Sequence, residues 1–104
     1  MLATVDWMKD NYAFFNEKYW NGELPECDFS VGRSKKKWGA AECTLDHSSR
    51  TANSFRIILS NYMDTTEYTR RNILLHEMIH IAEYFYHPDS FIRRGHTTHT
   101  AIIL

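Results

Sequence analysis

The chain has 104 residues and a formal net charge of −1, with 43% hydrophobic and 14% aromatic residues. That length carries one domain, and the apolar content is too high for a disordered chain. The near balance of charge excludes a global basic field for nucleic acid and a global acidic field for a cationic partner.

The N-terminal stretch MLATVDWMKDNY has no basic segment followed by an apolar one, so no signal peptide is read. No apolar run reaches the ~18 residues that cross a bilayer. A cytoplasmic or nucleoid-associated protein is expected. Cys27 and Cys43 form neither a disulfide framework nor a zinc ribbon. Two free thiols are expected.

Residues 4–20 place Val5, Met8, Tyr12, Phe15 and Tyr19 at helical spacing, with Trp7, Phe14 and Trp20 beside them. This predicts a first helix whose aromatics pack in the core, capped by Thr4 or Asp6. NGELP, residues 21–25, ends it. Residues 27–33 alternate as a strand, residues 38–45 form a second, and residues 54–60 a third after a loop at 46–53. Short links between successive strands predict a three-stranded antiparallel meander with one face packed on helices. A long helix is expected from about Thr65 to Tyr86, capped by Thr65 or Thr66 and stopped at HPDS, residues 87–90. A short final helix is expected over 97–104. The fold class is α+β.

The chemistry lies in ILLHEMIHIAEYF, residues 73–85. His76 and His80, one helical turn apart, can reach a single ion. Glu77, about 100° around the axis, is poorly aimed to be a ligand but well placed as a general base acting on a metal-bound water. Leu74, Leu75, Met78 and Ile79 are expected to bury the helix, where unligated imidazoles would each need hydrogen-bond partners. HExxH on a helix is therefore read as a zinc hydrolase signature.

Catalytic zinc usually has three protein ligands and an open position. Glu83 shares the face but lies ~7.5 Å of rise beyond the level of the ion, so it is read as supporting or solvated. His87 reads as a helix cap, and the context of His47 decides nothing. His96 and His99 both remain; Gly95 allows a tight approach and tilts spacing toward His96.

NILLHEMIH followed at a distance by Gly95-His96, with FFNEKYWNGELPECDFSVGRS upstream, resembles the SprT-like (Spartan-type) zinc metalloproteases over most of the chain. The resemblance implies a zincin-like peptidase fold with His76, His80 and His96 on Zn2+ and Glu77 as general base. It also implies action on proteins crosslinked to DNA. The pattern departs at Thr97, where a glycine is usual, and at Thr100, where an aromatic is usual. Residues 1–104 are expected to form a single SprT-like domain, either shortened at its C-terminus or a divergent member.

Arg33, Lys35, Lys36 and Lys37, followed by Trp38, fall at the link between the first two strands. They are candidate DNA contacts through phosphate and base stacking; the plain alternative is a solvated turn. The sequence reading is a zinc-dependent peptidase that takes a protein or peptide extended along a sheet edge, with DNA as a further partner and no membrane. Two rivals are a non-catalytic zinc-stabilised DNA- or protein-binding module and a repressor-cleaving peptidase sharing only HExxH.

Overall fold

A computed structural model describes residues 1–94 and 102–103. Helix α1 spans Val5–Trp20. Thr4 caps it, its hydroxyl accepting from the Trp7 N–H at 3.1 Å. Asn21 ends it in the left-handed region, at φ 53°. The Asn16 side chain then ties the following loop down, accepting from the Leu24 N–H at 3.0 Å. Met8, Tyr12 and Phe15 form the buried stripe. Phe14 and Tyr19 do not join it: they stand 59% and 55% exposed, with the Lys18 ammonium over both rings. The expectation that all the α1 aromatics pack in the core is corrected for these two.

Strands β1 (Cys27–Gly32), β2 (Gly39–Asp46) and β3 (Thr51–Ser60) follow. With β4 (Ile102–Ile103) the sheet order is β1-β3-β2-β4. The sheet is mixed, which corrects the expected antiparallel meander. β2 pairs antiparallel with β3, but β1 pairs parallel with β3, Cys27 opposite Phe55 through Gly32 opposite Ser60. The link from β1 to β2 passes over one strand position, which β3 then fills. Alternation in the sequence reports which face a residue takes, not which strand lies beside it. A bulge sets Cys43 of β2 against Ser54 and Phe55 of β3, with Ser54 at φ 56°.

Helix α2 spans Glu67–Tyr86, with the Thr66 hydroxyl capping the Thr69 N–H at 3.2 Å. It lies across β2 and β3, while α1 packs on β1 and α2. Ala41, Cys43 and Leu45 of β2 and Phe55, Ile57 and Leu59 of β3 meet Leu74, Met78, Ile81 and Tyr84 of α2 in one core. Leu75 is only partly covered and Ile79 is 52% exposed, so the buried side of α2 is narrower than its apolar content suggests.

The expected loop after α2 holds a further helix, α3, over Pro88–Arg94. Pro88 opens it, where a missing N–H costs nothing, and Phe91 stacks edge-on against Tyr84. The short helix expected over 97–104 is corrected at Ile102–Ile103, which pair parallel with Thr44 and Leu45 of β2. The rest of that expectation lies outside the described residues. Cys27 and Cys43 are free thiols. No helix among the described residues is long and apolar enough to cross a membrane.

Candidate metal centre and active site

The middle of α2 carries His76, Glu77 and His80. Helical geometry stacks the two imidazoles edge to face, ring centroids 4.7 Å apart, and brings their Nε2 atoms to 3.2 Å. Two nitrogens bound to one tetrahedral zinc lie about 3.3 Å apart, given Zn–N bonds near 2.05 Å. In a metal-free chain the same distance suits an N–H···N hydrogen bond, one ring donating. His76 is exposed and His80 half-buried, so the pair opens toward solvent.

Glu77 lines the same cleft as His76 but is only 3% exposed. Its Oε1 is buried with no hydrogen-bond partner among the described residues. Burial pushes the carboxyl above the ordinary carboxylate range, while His76, His80 and Lys37 pull it back. A buried carboxylate oxygen without a donor is costly in a merely structural position.

The wall opposite Glu77 is β2. Gly39 approaches so closely that a Cβ built there would lie 3.1 Å from Glu77 Cγ, Glu77 Oε2 and Ile73 Cγ2. A glycine inside a strand is the sequence signal for such an approach, and it was not read from the sequence.

A cleft of about 660 Å³ runs from this point between β2 and α2. Lys37, Trp38, Gly39, Ile73, His76 and Glu77 are among the residues that line it. The basic run is therefore divided. Ser60 N donates to Trp38 O at 2.9 Å, and Ser60 Oγ to Ser34 O at 2.7 Å, which stitches the β1–β2 link across the end of β3. That crossing carries Lys37 and Trp38 to the cleft, whereas Arg33, Lys35 and Lys36 stay on the exposed link. Lys35 lies over the Tyr62 ring, 5.5 Å from its centroid.

The donor set suits zinc: two imidazole nitrogens at ligand separation and a neighbouring carboxylate with an unpartnered oxygen. Among the described residues no group of three or more His, Cys, Asp or Glu side chains gathers around one point. His96 and His99, the candidates for a third ligand, lie outside the described residues. His47 stands exposed in the turn after β2, and His87 caps α2, its N–H donating to Glu83 O at 2.9 Å.

Fold and site define a class first: an α+β domain that sets a histidine pair and a buried carboxylate on one helix packed against a mixed sheet. The SprT-like family model matches residues 8–100, and the chain belongs to the SprT-like family. No curated protein and no solved structure matches it.

Proposed function

We propose that the chain is a zinc-dependent peptidase of zincin-like design, in which His76, His80 and His96 hold the metal and Glu77 is the general base. The observation that carries this reading is the pair of Nε2 atoms 3.2 Å apart beside a buried carboxylate oxygen that has no partner among the described residues. Zinc held there would acidify water and polarise a carbonyl. Glu77 accepts the proton of the attacking water at Oε1 and delivers it to the departing amine nitrogen. The closeness of Gly39 limits where that carboxylate can move.

The substrate lies extended in the cleft, pairing its main chain with the start of β2 at Gly39 and resting side chains on Trp38 and Ile73. SprT-like membership supports proteins associated with or crosslinked to DNA as the substrate class. The exposed Arg33, Lys35 and Lys36 beside the cleft are suited to phosphate contact.

Cleavage of casein by the zinc-loaded chain, measured with and without DNA and with a chelator, tests the reading. Chelator-sensitive cleavage is expected. Zinc uptake without cleavage would favour the non-catalytic module. Metal analysis of His96→Ala beside His99→Ala separates the two candidates for the third ligand; loss of zinc only in His96→Ala is expected.

A further inference from the structure

Glu83 is an anomaly on α2. It sits in the last turn of the helix, where the aligned peptide dipoles disfavour a negative charge, and no basic residue shares that turn. Its backbone carbonyl is engaged by the His87 N–H at 2.9 Å, so its Cα is held in helical register. Its carboxylate turns back one turn of helix, toward His80. Glu83 Oε1 lies 2.9 Å from His80 Nδ1. The two side chains differ in exposure, 19% for His80 and 48% for Glu83, so the contact has a sheltered side and a wet side.

The pairing decides which nitrogen of His80 carries the proton. A carboxylate can only accept, so the Nδ1 that meets it must be N–H. In a neutral imidazole Nε2 is then the lone-pair nitrogen. That is the atom facing His76 Nε2 at 3.2 Å. With His80 neutral in that tautomer, a hydrogen bond between the rings would run from His76 to His80.

We propose that Glu83 is a positioning residue for the metal centre, fixing His80 in the Nδ1–H tautomer so that its Nε2 lone pair points at the ion. The inference rests on the zinc reading of the site. Glu83 does not touch the ion itself; it acts through the ring of His80. A half-exposed contact of this kind adds little to folding. Removal of a carboxylate behind a metal-binding histidine typically weakens metal affinity by about 10–100-fold. The two roles thus predict different outcomes.

The experiment measures zinc affinity by chelator competition on the full chain as wild type, Glu83→Ala and Glu83→Gln, with thermal unfolding of the metal-free forms alongside. Nitrogen-15 NMR of the imidazoles reads the His80 tautomer without metal. Glu83→Ala is expected to bind zinc about 10–100-fold more weakly at nearly unchanged metal-free stability, and to lose the Nδ1–H signature. Glu83→Gln, which keeps an acceptor oxygen, is expected to fall between the two. Equal zinc affinity in wild type and Glu83→Ala would overturn the positioning role and leave the zinc reading intact. So would an Nε2–H tautomer in the wild-type chain. A wild-type chain that takes up no zinc would overturn both.

Discussion

Two charged residues are buried on the same face of α2, two turns apart, and they are treated in opposite ways. Arg70 is 1% exposed and Glu77 is 3% exposed. Each nitrogen of the Arg70 guanidinium donates: Nε to Met1 O at 3.2 Å, and its terminal nitrogens to Ser60 O and Met63 O, each at 2.6 Å. It ties the N-terminal segment, the end of β3 and the β3–α2 link into one corner. The Asn61 side chain reinforces that corner by exchanging hydrogen bonds with the backbone of Ala3 at 2.8 and 2.9 Å. Glu77 instead keeps one oxygen without a partner. A buried charge that serves the fold has hydrogen-bond partners on every nitrogen or oxygen it carries. The unpartnered oxygen of Glu77 lies buried at the edge of a cleft, which is the contrast the proposed general-base role would explain.

The sharpest way to test this contrast is to neutralise each charge. Glu77→Gln should lower peptide cleavage by roughly 10²–10⁴-fold, leave bound zinc in place and leave thermal stability equal or slightly higher, because a desolvated carboxylate has been removed. Cleavage at the wild-type rate in a zinc-loaded Glu77→Gln protein would end the general-base assignment. Arg70→Ala should do the reverse. It strands three backbone carbonyls and should cost about 3 kcal/mol of stability, seen as a midpoint lower by roughly 15 °C in thermal unfolding. Arg70→Lys should recover only part of this, since an ammonium cannot reproduce the planar fork.

Gly39→Ala sharpens the comparison from the strand side. The added methyl meets Glu77 and Ile73 at 3.1 Å, so the carboxylate must shift by a few tenths of an ångström. A loss of about tenfold in kcat is expected, with KM and zinc affinity unchanged, because a small misplacement of a catalytic group costs rate before it costs binding. The smallest effect belongs to the exposed link. Replacing Lys35 and Lys36 with Ala should change stability by less than about 0.5 kcal/mol. If the link meets DNA, the double variant should reduce the salt slope of DNA binding by about 2. An unchanged slope would remove those lysines from the interface.

Cysteine chemistry offers an independent probe of the packing under α2. Burial pushes the Cys43 thiol up to about 12 and the Cys27 thiol up to about 11. At pH 8 both should stay protonated in the folded chain and react with a thiol reagent far more slowly than after unfolding. Fast labelling of Cys43 in the folded protein would contradict the core described here.

Much of this was legible one element at a time. Thr4 or Asp6 and Thr65 or Thr66 announce the starts of α1 and α2, where the structure uses Thr4 and Thr66; Asn21-Gly22 announces the end of α1, and the spacing of His76 and His80 brings their rings together on any helix. These signals act within one or two turns, so they need no tertiary context. The extent of β3 was less legible, because residues 51–53 read as loop yet extend the ladder past a bulge. The exposure of Phe14 and Tyr19 was illegible for a related reason: helical spacing marks an apolar face but not how much of it a partner covers.

What the sequence determined by itself is the pair of long helices α1 and α2, the facing imidazoles and the carboxylate beside them, because local backbone geometry suffices for each; α3 was not among them. What only the tertiary structure decided is the parallel pairing of β1 with β3, and with it the path of the basic run across the end of β3 into the cleft. The closeness of Gly39 to Glu77 belongs to the same class. Those arrangements join residues far apart in the chain, and they follow from which faces could be buried together rather than from any spacing along the sequence.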